Sequence, residues 1–102
     1  MAKGYWLASA DITDPDGYKQ YLAESGKAFA KFGARFLVRG GASEQVEGKG
    51  RSRFVVLEFK DYATALECYR SPEYAIARAA RNGRAMFDLV ITEGYGGAQP
   101  ET

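Results

Sequence analysis

The chain has 102 residues, of which 46% are hydrophobic and 26% are charged, and this fits one globular domain near the lower end of the usual size range. Its 14 basic and 13 acidic residues leave a formal net charge of +1, which argues against nucleic acid or an anionic membrane as a partner. The sequence has no histidine and one cysteine, Cys68, so histidine-dependent triads, His-ligated haem and an internal disulfide are excluded, and we expect no cofactor and no metal.

The first predicted elements are a strand from Gly4 to about Ile12 and an amphipathic helix. The segment Thr13-Asp14-Pro15-Asp16 is typical of a helix start, because Asp14 can accept hydrogen bonds from free backbone N–H groups and Pro15 suits the first helical position. The apolar residues that follow recur at three- and four-residue steps and define one face of the helix: Tyr18, Tyr21, Leu22, Phe29 and Phe32. Gly33 ends this helix.

Two more strands are predicted in the middle of the chain. The second strand spans Ala34 to Arg39, and Gly40-Gly41 breaks it as a bulge or a turn. The third strand, Arg53 to Phe59, follows the flexible turn Gly48-Lys49-Gly50.

The last part of the chain predicts two helical pieces, a fourth strand and a tail. Asp61 caps a short helix, and Ser71-Pro72-Glu73 interrupts it and starts another that ends near Asn82-Gly83. The fourth strand spans Met86 to about Gly94. We expect residues 1–95 to form a single domain and residues 96–102 to be a flexible tail, because the tail is rich in glycine and contains a proline.

The resulting order, βαββαβ, predicts an α+β ferredoxin-like fold with an antiparallel four-stranded sheet and its helices on one face. The third strand has apolar residues on both of its sides, because Val56 alternates with Val55 and Leu57. A sheet with one face in water shows a clean alternation of apolar and polar residues, which is absent here. We therefore expect a homodimer in which a second copy covers the face that the helices leave bare.

Several motifs of the chain resemble those of the bacterial family known as domain of unknown function 1330, in the dimeric α/β barrel superfamily. The motifs are Gly4-Tyr5-Trp6, Thr13-Asp14-Pro15, Gly33-Ala34-Arg35-Phe36-Leu37-Val38-Arg39-Gly40-Gly41, Val55-Val56-Leu57-Glu58-Phe59, Tyr69-Arg70-Ser71-Pro72-Glu73-Tyr74 and Asp88-Leu89-Val90. The resemblance covers nearly the whole chain and implies a homodimer whose two sheets meet face to face. It implies no activity, because the superfamily includes cofactor-free oxygenases, lactone isomerases and haem enzymes.

Arg39 and Glu58 are the first candidates for chemistry. Arg39 ends an apolar strand just before two glycines, where a ligand can come close, and its guanidinium could hold a carboxylate. The structural alternative is an ion pair of Arg39 with Glu58 or another acid. Glu58 shares a strand face with Phe54 and Val56, so it could be a partly buried general base, and a carboxylate pair with Asp11 is a further option. Pairing with arginine or solvation at a strand end is the alternative for both acids.

Four aromatic residues are candidates for ligand binding: Trp6, Tyr18, Tyr69 and Tyr74. The tyrosine hydroxyls could orient a ligand, whereas the alternative is that they are buried and satisfied locally. Trp6 could stack on a flat ligand, or it could belong to the core or the dimer interface. The basic residues near the hairpin are interpreted as solvated, with carboxylate neighbours: Lys49, Arg51 and Arg53.

The leading hypothesis is a cytoplasmic homodimer that binds a small carboxylate-bearing or aromatic molecule between the sheet and the helices. The cytoplasm is expected because the chain starts without a signal-peptide hydrophobic region. One alternative is a cofactor-independent isomerase or monooxygenase with Glu58 as base and Arg39 or a tyrosine as anion stabiliser. Another is a structural dimer module without a ligand.

Overall fold

A computed structural model describes residues 2–101 of the chain, which form one antiparallel sheet with three helices on one side. The elements in chain order are β1 (Gly4–Ile12), α1 (Pro15–Lys31), β2 (Arg35–Arg39), β3 (Arg53–Phe59), α2 (Tyr62–Arg70), α3 (Pro72–Arg81) and β4 (Ala85–Glu93). The predicted ferredoxin-like order is confirmed, with the second crossover divided into α2 and α3.

The helices begin at the predicted capping residues. The side chains of Asp14, Asp61 and Ser71 each accept a hydrogen bond from the backbone N–H three residues later, at 3.1, 2.8 and 3.1 Å. Past the ends of α1 and α3, Gly33 and Gly83 have φ angles of 67° and 76°, in the left-handed region that favours glycine. Local sequence chemistry therefore sets where each helix starts and stops.

The strand order in the sheet is β2-β3-β1-β4, and every pair is antiparallel. β1 and β3 are central, as the crossover rule predicts. In β2, Phe36 pairs with Leu57 and Val38 pairs with Val56, so that Leu37 is an extra residue that forms a bulge.

The core lies between the helices and one face of the sheet. Trp6 is its centre: the side chain is 1% exposed, and its indole N–H donates to the carbonyl of Ala65 at 2.9 Å. The ring of Tyr74 meets the Trp6 ring edge to face, with the centroids 4.8 Å apart. Cys68 is fully buried in the same core, and burial raises the pKa of its thiol to about 12, so that Cys68 acts as a packing residue.

The opposite side of the sheet, which we call the open face, carries no helix. The centre of this face is apolar, because Val38, Val56, Leu7 and Val90 lie side by side across the four strands. Three of these side chains are about half exposed: Leu7 at 45%, Val38 at 42% and Val90 at 59%. The prediction that both sides of the sheet are apolar is therefore confirmed. A contiguous apolar surface of this kind is typical of an interaction site.

Two further observations concern the helices and the C-terminal segment. No helix in residues 2–101 is both long enough and apolar enough to span a membrane. Residues 94–101 follow β4 without forming a helix or strand. That residues 96–102 form a flexible tail stays a prediction, and Thr102 lies outside the described residues.

Candidate functional site

A small cavity lies between α1 and the covered side of the sheet, and we call it the helix-side cavity. Its volume is about 50 Å³. Its lining is mainly apolar and aromatic, with a few polar side chains, and comprises Trp6, Ala8, Tyr18, Tyr21, Leu22, Ser25, Gly26, Phe29, Phe36, Arg39, Arg53, Val55, Leu57 and Phe87. Such a lining is typical of sites for small molecules.

The cavity exists because small residues face each other across the layer. On β1, Ala8 takes a helix-facing position next to the bulky Trp6, and α1 presents Ser25 and Gly26 to the same space. Because Ala8, Ser25 and Gly26 are small, they leave unfilled the space between the larger side chains around them. Leu22, Gly26 and Arg39 are the most exposed lining residues, so they mark the opening of the cavity to solvent.

Arg39 reaches the cavity because of the bulge in β2. Simple alternation from Phe36, which faces the helices, would place Arg39 on the open face. The extra residue at Leu37 shifts the register by one, and Arg39 pairs with Val55, a residue on the helix-facing side. The Arg39 guanidinium then lies over the Phe36 ring, 4.2 Å from its centroid.

Arg53 is the second cationic side chain of the cavity. It stands on the same face of β3 as Val55, two residues earlier, and its guanidinium packs against the backbone of Gly40. A Cβ atom at Gly40 would collide with Nη1 of Arg53, and Gly40 also has a φ angle of 65°. The Arg53 guanidinium can therefore lie here because Gly40 has no side chain.

Within the described residues, neither guanidinium has an acidic partner. Within residues 2–101 no carboxylate lies within 4.0 Å of Arg39 or Arg53, and neither side chain donates a hydrogen bond. The structural alternative of an Arg39–Glu58 ion pair is therefore wrong. The expectation that Arg53 has a carboxylate neighbour is also wrong, although Arg53 is partly exposed, whereas Arg51 does have such neighbours, Asp11 and Asp88.

The tyrosines predicted for ligand binding occupy different environments. Tyr18 lines the helix-side cavity and is 4% exposed, and none of the side-chain hydrogen bonds within residues 2–101 involves its hydroxyl. Burial raises the pKa of Tyr18, so it carries its proton at neutral pH. Its O–H is therefore free to donate to a molecule in the cavity.

Tyr74 and Tyr69 pack in the core. The hydroxyls of Tyr74 and Tyr21 are 2.8 Å apart and hydrogen-bond to each other, and burial raises the pKa of both phenols. Tyr69 packs edge-on against Trp6 and lies beneath the guanidinium of Arg78, 4.9 Å from it. Neither Tyr69 nor Tyr74 lines the cavity, whereas Trp6 does, with its ring held in the core.

Glu58 lies on the open face, on the other side of the sheet from Arg39. It is paired with Tyr5 across β1, and the Tyr5 hydroxyl donates to its Oε2 at 3.0 Å. That hydrogen bond raises the pKa of Tyr5. The two side chains proposed to act together, Glu58 and Arg39, are therefore not brought into one site, because the β2 bulge sends Arg39 through to the helix side.

Asp11 and Glu58 share the open face but stand at opposite ends of it. Asp11 is six residues along β1 from Tyr5, the partner of Glu58, which corresponds to about 20 Å. The backbone N–H of Ser52 donates to Asp11 at 2.8 Å, and Arg51 bonds it at 3.2 Å. These hydrogen bonds lower the pKa of Asp11, which therefore serves to anchor the β3 entry and forms no carboxylate pair with Glu58.

The residues that sequence reasoning missed are Arg53, Ala8 and Phe87. Alternation along β3 places Arg53 on the same side as Val55 and Leu57, and that signal could have identified it. No sequence signal marks Ala8 or Phe87, because the cavity arises only when β1, β4 and α1 are packed together. Residues 2–101 contain no cluster of three or more His, Cys, Asp or Glu side chains able to hold a metal.

The family comparison identifies the chain. A family model described as "Domain of unknown function (DUF1330)" matches residues 3–95. The chain belongs to this family. No curated protein matches it. Because the family is one of unknown function, membership supplies the fold and no activity.

Solved structures similar to this member of the DUF1330 family share its fold at low identity. A protein of unknown function from Rhodopseudomonas palustris is 18% identical with a TM-score of 0.73, and the alignment covers 97% of this chain and 85% of that one. SnoaB, a cofactor-independent oxygenase from Streptomyces nogalater, is 12% identical with a TM-score of 0.63, covering 99% and 100%. A dimeric ferredoxin-like protein of unknown function from Thermobifida fusca is 17% identical with a TM-score of 0.58, covering 90% and 89%.

Proposed function

We propose that this protein binds a small organic molecule in the helix-side cavity. The observation that carries the proposal is the combination of an apolar lining with polar groups that have no partner within residues 2–101, namely the guanidiniums of Arg39 and Arg53 and the hydroxyl of Tyr18. Polar groups that converge on an apolar space without partners are typical of a binding site, because a ligand supplies their missing interactions.

The two alternatives from the sequence have less support. A cofactor-independent isomerase or monooxygenase with Glu58 as base and Arg39 as anion stabiliser needs both side chains at one substrate, and they lie on opposite faces of the sheet. Tyr18 is the only remaining proton donor among the sequence candidates that lines the cavity. A purely structural module would have a filled interior, and a cavity with free cationic groups argues against it.

We also propose that the protein is a homodimer in which two open faces meet. The apolar centre of the open face supports this, since water would otherwise contact Leu7, Val38 and Val90. The fold it shares with the dimeric Thermobifida fusca protein is in keeping with that arrangement. A cytoplasmic location is part of the proposal, because a chain with a single buried cysteine needs no oxidising compartment.

The variant Ala8→Val tests the ligand proposal. Valine adds two methyl groups at the sheet side of the cavity and suits a strand, so it should fill the space without disturbing β1. Wild-type protein is screened by ligand-observed NMR against small carboxylic acids and small aromatic fragments. We expect wild-type protein to bind a subset of these compounds and Ala8→Val to lose that binding.

The matched control is Ala30→Val, which adds the same two methyl groups on the exposed side of α1, outside the cavity. It should bind as the wild type does. A library without any hit on wild-type protein, or equal binding to Ala8→Val, would remove the proposal.

A further inference from the structure

Resting on the proposed function, we infer that the ligand is a short-chain carboxylate whose carboxylate group is held jointly by Arg39 and Arg53. The proposal comes from three features of the helix-side cavity: the placement of the two guanidiniums, the absence of a protein anion beside them, and the size of the enclosed space. Each feature limits the chemistry of the ligand in a different way.

The two arginines are close neighbours on one side of the sheet. Arg39 pairs with Val55, and Arg53 is two residues from Val55 on the same strand, so Arg39 and Arg53 are diagonal neighbours whose Cα atoms are about 7–8 Å apart. Both side chains line one cavity. A carboxylate has two oxygens, and guanidinium groups bind such a pair through parallel N–H···O hydrogen bonds. One carboxylate bound in the cavity can therefore accept hydrogen bonds from both guanidiniums.

No acid in the described part of the chain pairs with either arginine. The six ion pairs within residues 2–101 engage other basic side chains and leave both arginines without an acid. Two guanidinium charges that line one partly enclosed space repel each other, and an anion bound in that space relieves the repulsion. The unpartnered hydroxyl of Tyr18 lines the same cavity and can donate a further hydrogen bond.

The size of the cavity limits the rest of the ligand. An apolar cavity of roughly 150 Å³ holds a benzene ring, whereas the helix-side cavity has about 50 Å³. The enclosed part therefore takes a group of a few non-hydrogen atoms. The apolar neighbours Val55, Phe87 and Ala8 favour an alkyl group there, so we expect acids of about two to five carbons to bind more tightly than aromatic acids.

Inorganic phosphate shares the chemistry that guanidiniums recognise, but it has no apolar part for this lining. Isothermal titration calorimetry in a buffer without carboxylate or phosphate separates the two. The probes are acetate, propionate, butyrate and pyruvate, together with neutral propionamide and inorganic phosphate. We expect propionate or butyrate to bind at least about tenfold more tightly than propionamide and more tightly than phosphate.

The variants Arg39→Gln and Arg53→Gln remove each charge while keeping a long polar side chain. Each should weaken carboxylate binding by about tenfold or more, and the double variant should abolish it. Arg70→Gln is the matched control. It removes the same charge, but Arg70 is exposed on α2 and lies outside the cavity. It should leave the affinity unchanged, and unchanged melting temperatures establish that each variant is folded.

Three results would overturn the inference. If propionamide binds as tightly as propionate, or if the arginine variants keep full affinity, the carboxylate assignment fails while ligand binding in the cavity stands. If phosphate binds more tightly than every acid, the ligand class is wrong. If no acid binds, the inference fails, and the fragment screen with Ala8→Val then decides separately whether the cavity binds any molecule.

Discussion

The substitution Val56→Lys tests the proposal that the open face is the dimer interface. Val56 is opposite Leu7 on β1 and Val38 on β2, at the centre of the apolar surface. In a single copy this position is only partly buried, so a lysine can extend its charged group into water and the fold should survive. In the proposed dimer the same group would be trapped between two sheets.

The expected effect on dimerisation is large, because a two-fold interface contains the substitution twice. Each copy loses the burial of one valine and leaves an unpaired ammonium group in an apolar contact, which costs several kcal/mol. Taking about 3 kcal/mol per copy, the two copies weaken association by about 6 kcal/mol, or about 10⁴-fold in the dissociation constant. Val56→Lys should therefore be monomeric at micromolar concentration.

Sedimentation velocity measures the outcome directly. Wild-type protein should sediment as a species of twice the 11.2 kDa chain mass, and Val56→Lys as a single chain with an unchanged circular dichroism spectrum. Ile76→Lys is the matched control: Ile76 is 57% exposed on α3, away from the open face, and its substitution should leave the dimer intact. A wild-type monomer, or a dimer that persists in Val56→Lys, would refute the reasoning.

Two further predictions concern stability, both measured by urea unfolding. Gly26→Ala should raise the free energy of unfolding by about 0.5–1 kcal/mol, since Gly26 lies within α1 and an added Cβ meets no atom within 4 Å; a decrease would contradict this. Hydrogen bonds hold the pKa of Asp11, Asp14 and Asp61 below the ordinary 3.8, so these groups stabilise the fold above that pH and lose their effect as the pH falls through their folded-state pKa values. Stability should therefore be flat above about pH 5 and decline below about pH 4, and a flat profile down to about pH 2.5 would count against the assigned hydrogen bonds.

Most of the fold could be predicted from local sequence chemistry. Asp14, Asp61 and Ser71 mark helix starts, and Gly33 and Gly83 mark helix ends, because capping and left-handed backbone depend on a few adjacent residues. The bare apolar face was also predictable. Alternation along β3 shows that both sides of the sheet are apolar, while the chain has helices for one side only.

The candidate site was less accessible to sequence reasoning. Arg39 was identified as a candidate, but its proposed partner Glu58 lies across the sheet, and Arg53 was assigned to solvent. The reason is the bulge at Leu37, which reverses the side to which Arg39 points. A one-residue shift changes the face of every following side chain in a strand, and the sequence carries no clear signal for it.

The amino-acid sequence by itself determined the element order, the helix boundaries and the two-sided apolar sheet, because each depends on neighbouring residues and on periodicity. Only the tertiary structure decided which side chains share a site. Strand register placed Arg39 and Arg53 on the same side of the sheet and Glu58 on the other side. The packing of α1 over Ala8 created the cavity that both arginines line. Register and packing depend on contacts between residues far apart in the chain, which local pattern does not encode.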